Sequence, residues 1–245
     1  MSGHSKWNNI KRKKEKTDGQ KAKIFTKIGR EMAVAIKEGG SSDPNSNSKL
    51  RELIAKAKAN NVPNDNIERI IKKASADDKA NYETVVYEGY GPCGVAVIVE
   101  TLTDNRNRTA GDIRHYFDKY GGNLGTTGCV SFMFTEKGVI IADGEDVDED
   151  KAMEDFMEAG ADDFNFDDED TIEIITAPAD VTAVATAIEE KGYKVISADA
   201  AQVPSTYTSI DDPDTAVKMS RLLEMLEDND DVQNVWHNWE NPTEE

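Results

Sequence analysis

The sequence predicts an α+β protein in which an N-terminal three-helix domain precedes two α/β domains, the last of them inserted into the middle one. Apolar residues recur with a helical period up to residue 75 and with the period of a strand from residue 82 onward. A β-α-β-β-α-β order over residues 138–203 is then followed by one further helix and one strand. The predicted domains are 1–78 (basic arm and helical bundle), 79–137 plus 204–245 (central α/β domain) and 138–203 (inserted acidic α/β domain).

Three amphipathic segments predict the helical bundle. Ile24, Ile28 and Met32 recur every four residues in a first helix over residues 21–38. The same apolar spacing occurs over residues 50–57 and 67–74. Because each helix has one apolar face to bury, we expect the three to pack together.

The strand pattern begins with YETVVYEGYGPCGVAVIVETLT, two β-branched runs around a Gly/Pro turn, which predicts a β-hairpin. A helix, NRTAGDIRHYFDKY, and a strand, CVSFMFTE, are predicted to follow. The six elements of residues 138–203 have the split β-α-β order of ferredoxin-like folds. The last helix and strand have too little surface to form a domain, so we expect them to complete the sheet that begins at residue 82.

Charge is distributed very unevenly in this chain of net charge −19. Residues 1–75 hold 18 Lys and Arg against 8 Asp and Glu, a net +10, whereas residues 76–245 hold 11 against 40, a net −29. Such asymmetry indicates a nucleic-acid partner for the basic part.

Several other classes of protein are disfavoured by the sequence. No apolar run reaches the roughly 18–20 residues of a membrane span, and no secretory signal is present, so we expect a cytoplasmic protein without a membrane partner. The three histidines lack metal-ligand spacing, and neither GxSxG nor a phosphate loop occurs. Cys93 and Cys129 are interpreted as small buried side chains. The prediction is a protein that is not an enzyme, with no cofactor, metal or small-molecule substrate.

Two motifs resemble ligand sites but fail in context. Gly89, Gly91 and Gly94 spell GxGxxG, yet a strand follows where a dinucleotide site needs a helix, so we interpret them as a hairpin turn. Residues 143–170 carry 15 acidic side chains, but no frame fits a calcium loop. We expect this region to be solvated and to repel phosphates.

The basic N-terminal segment is the main candidate site. Residues 1–30 hold ten Lys and Arg against two acidic residues, and Trp7 offers a face on which a base can stack. Residues 2–20 show no sustained apolar period, which predicts an arm that is disordered until it binds. The alternative is a solubilising tail. The candidate nucleic-acid contacts are Lys6, Trp7, Lys11, Arg12, Lys13, Lys14, Lys16, Lys21, Lys23, Lys27 and Arg30.

A second cationic site is predicted at TDNRNRTAGDIRH. Arg106 and Arg108 fall in the first turn of a helix, where the helix dipole disfavours cations and a bound phosphate would reverse that cost. Arg114 lies further along the same helix. The alternative for Arg108 is an internal ion pair with Asp112, four residues on.

The motifs GHSKWNNIKRKK, NNVPNDNIERIIKKA, DNRNRTAGDIRHYFDKYGGNLGTTGCVSFMF and LLEMLEDNDDVQNVWHN resemble the YebC/PmpR family, and the likeness runs over essentially the whole chain. The resemblance implies three domains without catalytic chemistry. It also implies either a transcriptional regulator that binds promoter DNA or a ribosome-associated translation factor that relieves stalling, with the basic arm on ribosomal RNA.

The sequence does not decide whether the polyanion is DNA or RNA. No helix-turn-helix spacing or base-reading residue set is evident, which favours RNA, whereas the family label favours DNA. The competing hypothesis is an adaptor whose acidic domains bind protein and whose basic arm is incidental.

Overall fold

The computed structural model describes residues 18–75, 82–166 and 170–242, with side chains from residue 22 onward, and it is an α+β structure. A group of three helices precedes two antiparallel sheets of four strands each. In chain order the helices are α1 (Asp18–Gly39), α2 (Ser48–Ala59), α3 (Asn64–Ser75), α4 (Arg106–Lys119), α5 (Glu149–Ala159), α6 (Val181–Glu190) and α7 (Pro213–Asp228). The strands are β1 (Glu83–Tyr90), β2 (Ala96–Thr103), β3 (Asn123–Leu124), β4 (Phe134–Asp143), β5 (Asp163–Asn165), β6 (Thr171–Thr176), β7 (Val195–Pro204) and β8 (Val232–His237).

The three N-terminal helices pack around one apolar core, as their spacing predicts. Ile28 and Met32 of α1 meet Leu50 and Leu53 of α2 in this core. Asn47 joins the two helices, because its amide oxygen accepts from the Leu50 amide at 3.0 Å while its nitrogen donates to the α1 carbonyl of Ala35 at 2.8 Å.

The central sheet has the order β3-β1-β2-β8, so the last strand of the chain completes the sheet that begins with β1. Helices α4 and α7 cover one face of it, and their core includes Phe117, Met219 and the fully buried Trp239. The glycine motif is the hairpin turn between β1 and β2, as expected. Cys93 is exposed at this turn rather than buried, because it has a φ of +57° between Pro92 and Gly94 and projects outward.

The second sheet has the order β5-β6-β4-β7 with every neighbouring pair antiparallel, which is the ferredoxin-like order predicted from the sequence. Helices α5 and α6 supply Phe156 and Ile188 to its core. Because β8 returns to the first sheet, this unit is an insertion between α4 and α7.

The prediction of CVSFMFTE as a separate strand is wrong. Ser131–Met133 form a short 3-10 turn, and β4 then runs without a break from Phe134 to Asp143 through Gly138. The Glu88 carboxylate accepts from the amides of Val130 and Ser131, which removes them from any strand ladder. The domain boundaries stay a prediction, although β4 crosses the one proposed at 137/138.

The long strands β4 and β7 connect the two sheets. Their ladder extends from Ala142↔Val195 to Phe134↔Pro204, next to the central sheet. Trp236 of β8 packs against apolar residues of both sheets. Among the described helices, none combines the length and the apolar character that crossing a bilayer requires.

Candidate nucleic-acid interface

Most of the predicted arm lies outside the described residues, namely Lys6, Trp7, Lys11, Arg12, Lys13, Lys14 and Lys16. The backbone of Lys21 belongs to the first turns of α1. The structure therefore shows where the arm enters the fold, at the start of α1, and which surface α1 faces.

The basic side of α1 contacts the turn between α7 and β8, which we call the acidic corner (residues 227–231). Lys23 forms an ion pair of 2.7 Å with Asp228. Lys27 donates to the carbonyl of Glu227 at 2.8 Å. These predicted nucleic-acid contacts thus face the protein's own acidic surface, and they hold α1 against the acidic corner.

Arg30 makes the most buried of these contacts. Its guanidinium donates to the carbonyl of Asp230 and to the carboxylate of Asp231, both at 2.6 Å. Tyr82 also lies under the guanidinium, with its ring centroid 5.6 Å from the Arg30 Cζ. Arg30 is therefore engaged on several sides in this structure.

Asp231 is the centre of the corner and is only 4% exposed. Its second carboxylate oxygen accepts from Arg108 at 2.7 Å, from the hydroxyl of Thr109 at 2.7 Å and from that of Thr103 at 3.2 Å. One carboxylate thus joins α1, β2 and α4 to the start of β8.

The pKa of Asp231 shows that these partners outweigh burial. Burial alone raises the pKa of the carboxyl group, but the hydrogen bonds from Arg108, Thr109 and Arg30 bring it below its ordinary value. Asp231 is therefore ionised at neutral pH and holds both guanidinium groups.

The three arginines of α4 have different environments. Arg108 forms ion pairs with Asp104 at 2.9 Å and with Asp231, and not with Asp112 as the sequence alternative has it. Arg106 and Arg114 are exposed, and within the described ranges no carboxylate lies at ion-pairing distance from either. The structure consequently leaves Arg106 and Arg114 more accessible to phosphate than Arg108.

An open cleft of about 470 Å³ lies where α1, α4 and the acidic corner meet. Its lining includes Lys23, Arg30 and Arg108 but also Asp104, Asp112 and Asp228. Because carboxylates outnumber cations there, the cleft in this arrangement is a poor phosphate site.

The inserted unit presents an acidic helix whose charges are partly paired. Lys191 contacts Asp155 at 2.8 Å and Glu158 at 2.7 Å, and the Tyr193 hydroxyl donates to Asp155 at 2.7 Å. Burial, together with that carboxylate, raises the pKa of Tyr193 to about 12. In the part of the chain that the structure describes, no group of three His, Cys, Asp or Glu side chains is arranged to hold a metal ion.

Comparison with known proteins assigns the chain to a family. The family model described as "TACO1/YebC protein N-terminal domain" matches residues 5–77, and "TACO1/YebC second and third domain" matches residues 82–239. The chain belongs to the TACO1/YebC family. This confirms the resemblance seen in the sequence motifs.

Relatives of this TACO1/YebC chain are similar to it in sequence over nearly its full length. A protein of Acetivibrio thermocellus is 60% identical over 98% of this chain and 99% of its own, and one of Ruminiclostridium cellulolyticum is 57% identical over 100% and 98%. Both are named "Probable transcriptional regulatory protein". The crystal structure of a conserved hypothetical protein from Aquifex aeolicus has a TM-score of 0.82 at 42% identity and covers 94% of each chain.

Sequence reasoning did not find the acidic corner of this TACO1/YebC protein. Lys23, Lys27 and Arg30 are predicted from the sequence as nucleic-acid contacts, and Arg108 as either such a contact or the partner of Asp112. In the structure each of the four contacts residues 227–231, some 120–200 positions further along the chain. The available signal was the acidic run EDNDD between the last predicted helix and strand. A turn connecting α7 to β8 places those carboxylates together, but the sequence does not show what they face.

Proposed function

We propose that this TACO1/YebC protein is a non-enzymatic, cytoplasmic regulator of gene expression that binds nucleic acid through its basic N-terminal segment and the exposed arginines of α4. The observation that carries the proposal is the accessibility of Arg106 and Arg114 in a chain with 48 acidic residues. The concentration of ten cations in residues 1–30 supports the same partner. The names of the curated relatives support a regulatory role.

Helix α4 offers two features that suit a phosphate backbone. Arg106 occupies the first position after the N-cap residue Asn105, where the helix dipole favours an anion. Arg114 lies eight residues on, about 12 Å along the helix axis. Two separated cations on one rigid element position a strand of phosphates without reading bases.

Two polyanions fit this proposal, and they predict different preferences. A regulator that acts at promoters binds a DNA duplex, as the names of the relatives suggest. Contacts restricted to phosphates and shape instead suit structured RNA such as that of the ribosome, with translation as the regulated step. The described residues supply cations rather than a set of side chains that would read base edges, which favours RNA.

Deleting residues 1–20 tests the proposal. The full chain and the truncated chain are sedimented with purified ribosomes, and in parallel titrated against a 30-base-pair DNA duplex, from 50 to 300 mM KCl. If about five cations meet phosphates, the logarithm of the affinity falls with the logarithm of salt at a slope near −4 to −5, and truncation removes most of that slope. The probe bound more tightly by the full chain identifies the polyanion.

The double variant Arg106→Ala/Arg114→Ala tests the second contact in the same assay. Loss of two phosphate contacts reduces the slope by about 1.5–2. The matched control, Lys151→Ala/Lys194→Ala, removes the same charge from the inserted unit and leaves the slope unchanged.

In the truncation experiment, equal binding by the full chain and by the chain without residues 1–20 would contradict the proposed role of the arm and favour the protein-binding adaptor.

A further inference from the structure

The loop between β3 and β4 presents an aromatic side chain to solvent. Phe132 is 75% exposed, the largest value among the large hydrophobic residues that the structure describes. It lies in the 3-10 turn Ser131–Met133. We call residues 125–133 the Phe132 loop.

A buried carboxylate holds this loop in place. Glu88 of β1 is 4% exposed and accepts from the amides of Gly128 at 2.8 Å, Val130 at 2.9 Å and Ser131 at 2.8 Å. Burial raises the pKa of Glu88, but these three amides outweigh burial and lower it. The loop backbone is therefore fixed by an ionised group in the protein interior.

The neighbours of Phe132 prevent it from turning inward. Val130 and Phe134 are buried in the apolar cluster behind β2. The carbonyl of Met133 accepts from both the amide and the hydroxyl of Ser205, at 2.8 and 3.0 Å. Because the residues on both sides are anchored, the exposure of Phe132 is built into the loop.

The charge around Phe132 indicates what it can meet. Residues 119–135 contain no Asp or Glu, and this run of 17 is the longest acid-free segment of a chain with 48 acidic residues. Apart from Phe132, the exposed residues of the loop are small and uncharged, including Thr126, Thr127 and Ser131. The loop itself therefore contributes no carboxylate that would repel phosphates or attract a basic protein partner.

We propose that Phe132 is a stacking platform for an unpaired base of single-stranded nucleic acid, held ready by the Phe132 loop. This inference rests on the proposed function and adds a contact that the cationic residues do not provide. Every base has a π-face, so one rigid aromatic ring binds single strands regardless of sequence. A duplex keeps its bases stacked inside and gains nothing from the ring.

The test compares single-stranded and duplex probes on the full chain. Binding of a fluorescein-labelled 20-nucleotide oligouridine and of a 20-base-pair RNA duplex is measured by fluorescence anisotropy at 100 mM KCl. Phe132→Ala is expected to raise the Kd for oligouridine by about 5- to 150-fold and to leave the Kd for the duplex unchanged. Phe132→Trp is expected to bind oligouridine as tightly as the parent, whereas Phe132→Leu is expected to bind as weakly as Phe132→Ala, because leucine lacks a π-face.

Two controls make each outcome decisive. Met157→Ala removes another exposed apolar side chain (67% exposed) from α5 and leaves both Kd values unchanged. Unfolding midpoints within 1 °C of the parent show that each variant is folded, as expected for an exposed side chain. Oligouridine binding that is unaffected by Phe132→Ala, or fully rescued by Phe132→Leu, overturns the proposal.

Deletion of residues 1–20 in the same assay separates this proposal from the proposed function. If the deletion weakens binding of both probes and Phe132→Ala weakens neither, the nucleic-acid function stands and the stacking role of Phe132 is overturned. If the full chain binds neither probe, both are overturned. If only Phe132→Ala weakens oligouridine binding, the stacking role stands and the role of the arm is overturned.

Discussion

At the scale of single residues, Asp231 links parts of the chain that are far apart in sequence. Its carboxylate accepts hydrogen bonds from Arg30 of α1, from Arg108 and Thr109 of α4 and from Thr103 of β2. A buried charge contributes to stability only when its partners replace the water it has lost. Asp231 meets this condition, so we expect it to matter more than any exposed ion pair of the molecule.

Replacing Asp231 with Asn is expected to lower the free energy of unfolding by about 1–3 kcal/mol. Asparagine has the same shape as aspartate, but it leaves the guanidinium groups of Arg30 and Arg108 without their shared carboxylate. Because both guanidinium groups are partly exposed, water replaces part of the lost interaction and the decrease in stability does not exceed this range. Urea unfolding at pH 7 measures the change. The control is Asp104→Asn, which breaks an exposed ion pair of the same Arg108 and costs at most about 1 kcal/mol.

The pH dependence of the same variant checks the cause. Since the pKa of folded Asp231 lies below its ordinary value, its stabilisation is fully present above about pH 4 to 5 and is lost as the pH falls through the folded pKa. The difference in unfolding free energy between parent and Asp231→Asn therefore narrows as the pH falls below about 4. A difference that stays constant down to pH 2 would assign the loss to packing instead of charge.

At the scale of elements, the apolar period of the sequence predicted the described helices and the order of the longer strands, but not the two-residue strand β3. Those signals are local, and they succeeded wherever an element buries one face, as in α1, or follows a glycine turn, as in β2. They failed at residues 129–133, where a distant carboxylate fixes the backbone, and at the predicted strand division before Gly138. The Glu88 carboxylate accepts hydrogen bonds from the amides of Val130 and Ser131, about 40 positions further along the chain. No local sequence pattern predicts such a contact.

Gly138 misled the sequence interpretation for a related reason. The sequence pattern predicts that a new strand starts at Gly138, but this residue lies inside β4. A Cβ at this position would lie 2.2 Å from the hydroxyl oxygen of Thr176 and 2.8 Å from the Cβ of Val181. The glycine is thus required for close packing of β4 against β6 and α6 rather than for a turn.

Two glycine-to-alanine variants are expected to change stability in opposite directions. Gly138→Ala pushes both Thr176 and Val181 away from β4 and lowers the free energy of unfolding by about 1–3 kcal/mol. Gly111→Ala raises it by about 0.5–1 kcal/mol, because Gly111 is inside α4 and an added Cβ would project into open space. Urea unfolding of both variants measures the signs, and a neutral Gly138→Ala would contradict the packing role.

At the scale of the whole molecule, the structure changes the meaning of the charge separation. From the sequence, +10 in residues 1–75 and −29 in the remainder imply a basic part directed at an external polyanion. In the fold, the basic side of α1 meets the acidic corner of the same chain, through Lys23, Lys27 and Arg30. Part of the positive charge therefore holds α1 against the acidic corner. The sequence alone does not show which cations make these internal contacts and which are left to bind an external polyanion.

If the arm and α1 bind nucleic acid as proposed, the acidic corner opposes that binding. The carboxylates of Asp228 and Asp230 are exposed and lie beside the cations of α1, so they repel phosphates approaching the same helix. Asp228→Asn/Asp230→Asn removes two negative charges there and releases Lys23. We expect it to tighten binding of the 20-nucleotide oligouridine by about 3- to 10-fold at 50 mM KCl, with the gain shrinking at 300 mM as salt screens the charges.

The control for this variant is Glu149→Gln/Asp150→Asn, which makes the same change in net charge at the start of α5 in the inserted unit. Because charges farther from the bound phosphates than the Debye length, roughly 14 Å at 50 mM salt, are largely screened, we expect a gain of less than twofold from it. Anisotropy titrations of the parent and both variants measure the difference. Equal gains from the two variants would mean that overall charge, and not the acidic corner, limits binding, whereas no gain from either would show that the phosphates do not approach α1.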